Sequence, residues 1–538
     1  MSFITQHLLT LILFIPTLTG VVVLLLPKEN LKAQRWTAIV GSLIPLALTI
    51  YLWANFNAAQ TGYQFDESYP WLTSLDPTDF SKTIVFSSFH LGIDGLSLTM
   101  VLLTTLLVPL ALLASFNITD RVKAYMFLFL ALETGMLGVF LAVDLLIFFV
   151  FWEVGLVPMY FLINQWGSEK GEREIWKGQK IQARNYASLK FIIYTMGGSL
   201  GLLLAIQLLG ALFHTFDLPQ LYAKWNALNG TLLGLPVETV KTVAFWAFVI
   251  AFAVKVPVWP FHTWLPDAHT EAPTAGSMIL AGVMLKLGAY GFLRLVLPLY
   301  PAESARYAGW LAFLAVMAIV FGAFAAYGQK DFKRLVAYSS VNHMGFVLLG
   351  IAAAARVGVG LANADASLNL SKNIALNGAV LQMFNHGLSA AGMFFLVGVI
   401  YERLHTRNLD DYGGLFPLVP IYGGILIFTS MASLGLPGLN GFISEFLVVR
   451  GAWPVLSVFT AIAMIGLLFT GAYILKAIKQ VLHGPLNEHW AEGEHRLTEI
   501  NTREIAVMAP LMALILIIGI YPAWILDVIN KAMLTLFH

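Results

Sequence analysis

A chain of 538 residues that is 58% hydrophobic and 11% charged, with a mean hydropathy of +0.77, lies far outside the range of soluble globular domains and reads as an all-α polytopic membrane protein. Its net charge of +1 gives no reason to expect nucleic acid or a polyanionic partner, so membrane lipid and other membrane chains are the expected surroundings. Zero cysteines exclude iron–sulfur clusters, thiolate zinc sites and disulfides, so any electron transfer coupled to this chain is carried by another.

Fourteen apolar segments are long enough to cross about 30 Å of hydrocarbon, which takes about 20 residues of helix. Their predicted cores are 8–26, 36–56, 96–116, 122–142, 144–164, 186–213, 241–272, 274–297, 305–327, 333–354, 375–400, 416–450, 456–481 and 504–530. The first lacks a basic flank and an Ala-x-Ala site, so it reads as a retained helix rather than a cleaved signal. After the second comes an acidic connection, 57–95, with Asp66, Glu67, Asp76, Asp79 and Asp94. The seventh and twelfth segments are too long for one crossing and are interrupted, by VPVWPFHTWLP and SLGLPGLNG. Broken helices at corresponding places in two halves point to a transporter site.

The halves can be laid over one another. Glu153-Val-Gly155 matches His343-Met-Gly345; 44 residues after each first position, Gly197-Gly-Ser199 matches Gly387-Leu-Ser389, and Pro257 matches Pro437 at the breaks. Gly and Ser recur in any apolar helix, but equal spacing with paired breaks favours two five-helix repeats. An odd number of helices makes consecutive units inverted. The chain then divides into helices 1–3 (residues 1–121), a first repeat (122–297), a second repeat (298–482) and a C-terminal loop and helix (483–538). Assigning the connections alternately to two sides places 20 Lys/Arg on one and 8 on the other, with Lys255, Lys286 and Arg294 inside helices, which accounts for all 31. The positive-inside rule puts the richer side in the cytoplasm and both termini opposite.

Lys255 ends an apolar run, AFWAFVIAFAV, and a lysine at membrane depth costs about 2.5–3.5 kcal/mol on insertion scales. Such residues belong by default to an ion or proton pathway. Glu133, Glu153, Lys286, His343, His386 and Glu445 also fall near the middle of predicted helices, Glu153 about 14 Å and Lys286 about 18 Å into theirs. Isolated buried charges neutralise whereas paired ones persist, so Glu153 and Lys255 form the expected couple. A static ion pair that fixes packing is the alternative. Lys286 has no carboxylate within one turn, which favours a relay. A neutral imidazole both accepts and donates a proton, so His343 and His386 suit the link from lysine to Glu445, although either could be a core histidine bonded to backbone. Glu133 faces either the bundle or a headgroup defect. His262 and Asp267, in the first break, are expected to satisfy freed backbone groups.

No GxxxxGK[ST] and no GxGxxG after a strand is present, so the driving energy comes from an ion gradient or a partner. The runs FAVKVPVWPFHTWLPDAHTEAPTAGSMILAGVMLKLGAYG, DFKRLVAYSSVNHMGF, NHGLSAAGMFFLVGVIYER and GLPGLNGFISEFL resemble the antiporter-like subunits of respiratory and photosynthetic complex I, over nearly the whole chain. Glu445 where others of that family carry Lys, with LGIDGLSL, looks like the M-type (chain 4) branch, and the loop WGSEKGEREIWKGQKIQARNYASLKFIIYTMGG looks most like its cyanobacterial form. The resemblance implies a proton relay: Glu153 as pairing carboxylate, Lys255 as switching base, Lys286 as central relay, His343 and His386 as connectors and Glu445 as exit carboxylate. It implies no cofactor bound by this chain, with iron–sulfur clusters and plastoquinone on other subunits. The implied partners are the other membrane-arm subunits, including neighbouring antiporter-like ones, in a thylakoid membrane with both termini lumenal. A subunit of a multisubunit sodium/proton antiporter shares these motifs and is the competing class; a scaffold with unused charges is the third.

Overall fold

The computed structural model describes residues 3–75, 83–232, 234–358, 365–491 and 497–537. Asp76 and Asp79 of the acidic connection, and Arg496, lie outside them. In chain order the helices are α1 (Leu8–Leu25), α2 (Leu31–Asn55), α3 (Gly95–Ala114), α4 (Val122–Leu141), α5 (Leu145–Val154), α6 (Leu156–Trp166), α7 (Ala183–Phe213), α8 (Leu218–Ala227) and α9 (Val237–Lys255). They continue with α10 (Trp264–Glu271), α11 (Thr274–Leu299), α12 (Pro301–Tyr327), α13 (Phe332–Val357), α14 (Ala366–Leu404), α15 (Pro420–Leu434) and α16 (Asn440–Ala452). The last are α17 (Ser457–Leu482), α18 (Thr502–Ile520) and α19 (Ala523–Leu536).

Among the described residues thirteen spans are long and apolar enough to cross a membrane, α5 and α6 together making one. The pair α15 and α16 supplies the fourteenth, broken one. Aspartates start several spans by accepting backbone N–H bonds at the N-cap: Asp94 from Ser97, Asp144 from Leu146 and Ile147, and Asp331 from Arg334. Both predicted breaks are present. After Lys255 the chain turns through Pro257 and Pro260, which have no N–H to donate, and the Trp264 indole N–H satisfies the freed Val254 carbonyl at 2.8 Å. The second break runs through Gly435, in the left-handed region at φ +84°, and Pro437.

Three features depart from the expected elements. The predicted last helix, 504–530, is two: α18 ends before Pro522, and α19 is a separate helix burying Ile525, Ile529, Ala532 and Met533 against α3 and α14. That four-residue rhythm marks an amphipathic surface helix, not half of a crossing. The acidic connection folds as an antiparallel hairpin, β1 (Gln64–Leu75) and β2 (Thr83–Ile93), and the basic loop 166–190 carries a smaller one, β3 (Glu172–Trp176) and β4 (Gln179–Gln182). A membrane-period reading has no means of seeing either.

The connections gather into the two expected groups. On the face carrying both termini, β2 bridges to Ala142, Asp144 to Asp217, and the Phe216 N–H to Phe86. On the basic face, the Ser168 N–H reaches the Glu271 carbonyl at 2.8 Å and Asp331 bridges to Asn408. Because the chain has no native cysteine, single cysteines at exposed Ser74 and Gln179 are expected to react with an impermeant maleimide from opposite sides of sealed vesicles. Labelling of both from one side would contradict the fourteen-crossing topology.

His90 fastens the termini-face hairpin. Its Nε2 lies 2.6 Å from Asp66 and its Nδ1 3.2 Å from Asp217 at the start of α8, so both ring nitrogens must carry protons to donate. Burial alone lowers the imidazole, but the bonds to Asp217 and Asp66 outweigh it and raise the group above its usual 6.5. For Asp217 burial acts upward, and the bonds from His90 and Gln220 outweigh it, holding the carboxyl below 3.8. The raised histidine contributes stability fully below 6.5 and loses it as pH rises through its elevated value; the lowered carboxyl contributes above 3.8 and loses it as pH falls through its depressed value. Hydrogen exchange of β2, corrected for intrinsic rates, is therefore expected to quicken on alkalinisation, and His90→Gln should remove that pH dependence.

Candidate proton-transfer site

The spans α11 and α14 are the most enclosed in the bundle, with every residue of their apolar windows buried. Small residues let them cross closely: a Cβ at Gly387 would lie 2.9 Å from the Gly282 carbonyl. The same device joins α14 to α16, where a Cβ at Gly451 would lie 2.4 Å from the Ala375 nitrogen. These two crossings bring three widely separated stretches of sequence to one centre.

Lys286, fully buried on α11, donates to its own helix at the Ala281 carbonyl (2.5 Å), in the π-helical turn Leu280–Met284, and lies 2.8 Å from His386 Nδ1 on α14. A π turn widens the helix locally and recurs at functional positions. With an ammonium against Nδ1, that nitrogen accepts, which places the ring proton on Nε2. The His386 ring lies 5.7 Å, centroid to centroid, from the His343 ring on α13. His343 Nδ1 is 2.8 Å from Glu445 Oε1 on α16, its Nε2 is 3.2 Å from the Tyr473 hydroxyl, and Gln382 donates to the same Glu445 oxygen at 3.0 Å. A cavity of about 10 Å³ lined by His343, His386, Ser389 and Glu445 separates the two imidazoles, close to the space one water needs. Four of the expected residues thus form one line, Lys286–His386–His343–Glu445.

The first half is arranged differently. Lys255 is 2% exposed, and its Nζ stands 4.9 Å above the Trp152 ring with no hydrogen-bond partner. Glu153, the next residue, sits half-buried at the Gly155 interruption between α5 and α6, and its Oε1 also lacks a partner. The expected closed ion pair is therefore open. Trp152 holds the cation by its π face and is itself fixed by an indole N–H bond to Ser199 Oγ at 2.9 Å. Glu133 is fully buried on α4 with both carboxyl oxygens unpartnered, apart from the line.

Other expectations need correction. Asp267 does not satisfy freed backbone; it sits on α10 as an ion-pair partner of Lys190 at 2.7 Å and Arg334 at 3.4 Å. His262 Nδ1 has no partner. Lys333, counted above as a loop charge, is 7% exposed and donates to the Ala272 carbonyl at 2.5 Å, because α13 begins at Phe332 and turns the next side chain inward. Beside it lie Glu271, paired with Arg407 at 4.0 Å, and His269, fully buried and stacked on Phe394 at 4.3 Å with both ring nitrogens unpartnered. The motif HTEAP displayed His269 and Glu271; only the packing shows that Lys333 joins them. Among the described residues no group of three or more His, Cys, Asp or Glu is placed to hold a metal ion.

The transmembrane family model of NADH:quinone oxidoreductase/Mrp antiporters matches residues 142–470, and the amino-terminal model of NADH-ubiquinone oxidoreductase chain 4 matches 36–144. NADH-quinone oxidoreductase subunit M of Rhodobacter capsulatus is 37% identical over 98% of this chain and 96% of its own, and that of Escherichia coli K12 is 38% identical over 98% and 96%. A chain of respiratory complex I from Thermus thermophilus with bound NADH superposes with a TM-score of 0.79 at 27% identity, covering 98% of this chain and 100% of its own. A chain of the Mrp complex from Dietzia sp. shares the fold, with a TM-score of 0.77 at 19% identity over 99% and 97%. A membrane bundle with a line of buried titratable groups across its centre is the architecture of an antiporter-like transport subunit. The chain belongs to the NADH:quinone oxidoreductase/Mrp antiporter family, and within it to the M-type, chain 4 branch of complex I.

Proposed function

We propose that this chain moves protons through the membrane arm of a complex I-type quinone oxidoreductase along Glu153, Lys255, Lys286, His386, His343 and Glu445, with Glu133 as an accessory carboxyl. The carrying observation is the buried line from Lys286 to Glu445, in which Lys286 meets His386 and His343 meets Glu445 at hydrogen-bond distance and the two imidazoles face one another at 5.7 Å across a water-sized cavity. Moving one proton against 100 mV costs about 2.3 kcal/mol. Breaking a buried charge pair costs about 3–5 kcal/mol, so one switching pair suffices for one proton. The chain acts as a subunit of a redox-driven proton translocase, with quinone reduction and the iron–sulfur clusters on other subunits. The open Glu153 side lies beside exposed Val154, Val157 and Phe161, a lateral apolar surface suited to a neighbouring membrane-arm subunit.

The finer reading is a cyanobacterial NAD(P)H- or ferredoxin-fed plastoquinone reductase in the thylakoid, with the termini face lumenal. Its support is the wording of the 166–198 region; the Rhodobacter and Escherichia relatives are NADH-quinone oxidoreductase subunits by name, and the Thermus complex is respiratory by name. The sodium/proton antiporter reading is supported by the Dietzia fold likeness and by a transmembrane family model that spans both classes, whereas the chain 4 match and the identities near 37% favour complex I. Affinity purification of the tagged chain in mild detergent is expected to recover hydrophilic iron–sulfur subunits and quinone reductase activity. Recovery of antiporter subunits only would replace this reading with the alternative.

A further inference from the structure

On α11 the residues Lys286, Tyr290 and Arg294 follow at intervals of four, one stripe of the helix, and all three are buried to within 1%. The stripe runs about 12 Å from the central lysine toward the termini face. The Tyr290 hydroxyl lies 2.9 Å from Ser97 Oγ, 3.1 Å from the Phe140 carbonyl, and accepts from Arg294 Nε at 3.0 Å. Arg294 Nη2 donates to both Asp94 oxygens at 2.7 Å and to Ser97 Oγ at 3.2 Å, and Nη1 to the Tyr63 hydroxyl at 3.2 Å. The backbone here is a second π turn, Phe292–Val296, whose Arg294 carbonyl accepts from Tyr222 at 2.6 Å. Beyond Asp94 opens a cavity of about 190 Å³ on the termini face, lined among others by Tyr63, Asp94, Tyr222, Arg294 and Lys531.

A buried arginine is expensive, and one placed among three hydroxyls and a carboxylate at the mouth of a cavity separates the protein interior from that cavity. We propose that this cluster is a gated proton outlet from Lys286 to the termini face, with Tyr290 and Ser97 as carriers, Asp94 as the outer acceptor and Arg294 as the gate. It rests on the reading of Lys286 as a proton carrier. In the closed form seen here, Lys286 turns back toward Ala281 and His386, away from Tyr290, and the guanidinium stands between Ser97 and Asp94. Opening moves the guanidinium toward Tyr63 and the cavity. The proton leaving Lys286 then binds the Tyr290 oxygen as that phenol releases its own to Ser97; Ser97 in turn releases one to Asp94, and Asp94 loses it to the cavity. Each hydroxyl accepts one proton and gives one, so both end unchanged. Lys286 thus has two outlets, sideways to His386 and outward along its own helix.

The test uses the assembled complex in sealed vesicles. Tyr290→Phe removes one oxygen from a packed ring and is expected to leave quinone reduction intact while lowering the protons moved per electron. Arg294→Gln is expected to raise passive proton flux from the termini face several-fold, and adding Tyr290→Phe should remove that leak, which a loosened structure would not do. If Arg294→Gln fails to assemble on a native gel, the stoichiometry of Tyr290→Phe decides alone. Unchanged stoichiometry in Tyr290→Phe, or a leak indifferent to Tyr290, overturns the outlet. Lys286→Met separates the two readings: if it pumps normally the relay itself fails, whereas if it stops pumping and Tyr290→Phe does not, only the outlet fails.

Discussion

Lys286→Met is expected to halt proton movement through this chain in a complex that still assembles. The substitution keeps the length of the side chain and removes its charge. It leaves the Ala281 carbonyl and His386 Nδ1 without their donor, each a loss of about 1–3 kcal/mol. Against that, it deletes a cation whose burial at membrane depth costs about 2.5–3.5 kcal/mol. The terms nearly cancel, so folding survives, while the donor that feeds His386 is gone. The measurement is proton uptake coupled to quinone reduction in vesicles, where the share contributed by this chain should fall more than about tenfold, the equivalent of about 1.4 kcal/mol in a transfer barrier. Glu445→Gln should do the same at the other end: the amide oxygen can still accept from Gln382 and His343, but no carboxylate remains to take the proton. Full pumping in both assembled variants would leave the line as a packing feature.

The crossings were legible because a hydrocarbon slab demands about 20 apolar residues, and the breaks because proline and glycine announce themselves. The titratable residues of the line could be named for a related reason: at membrane depth an ionisable group is rare enough to stand out singly. Which of them touch could not be read, since Lys286 and His386 are 100 residues apart, as Glu445 and His343 are 102, and their meeting depends on glycines that allow α11, α14 and α16 to cross. Glu153 and Lys255 pair on paper because opposite buried charges persist together, but a sequence does not report which way a side chain points, and Trp152 takes the lysine instead. Lys333 was missed because a charge at a helix start counts as a loop charge until its side chain is seen to turn inward. Arg294 was placed inside a helix without a partner; Asp94, 200 residues earlier in a connection read only as acidic, supplies it. The termini-face hairpin and α19 escaped for a third reason, that their patterns are those of soluble surfaces.

Lys255 and Glu153 are expected to behave as one switch even though their contact is open in this structure. Lys255→Met should stop translocation and Glu153→Gln nearly so. A lysine over an indole face is held by about 0.5–2 kcal/mol, less than the 3–5 kcal/mol that a buried ion pair loses when one partner is removed, so the two arrangements lie close enough to exchange when the surroundings of Glu153 change. Glu153 is where such a change can enter, since it is the half-buried member and lies next to the exposed Val154, Val157 and Phe161. Closing the pair draws Lys255 off Trp152; opening it returns the ammonium to the ring, from where its proton passes to Lys286 and leaves the neutral amine, which takes up a new proton when the pair closes again. If that is the cycle, the double substitution should cost far less than the two single ones combined, with a coupling of about 1–3 kcal/mol in transfer activity. Removing the ring should trap one arm of the cycle, so Trp152→Leu is expected to slow translocation while Trp152→Phe, which keeps a π face, is milder. Additive losses in the double variant, or normal pumping by an assembled Lys255→Met protein, would show instead that the two charges serve separate ends.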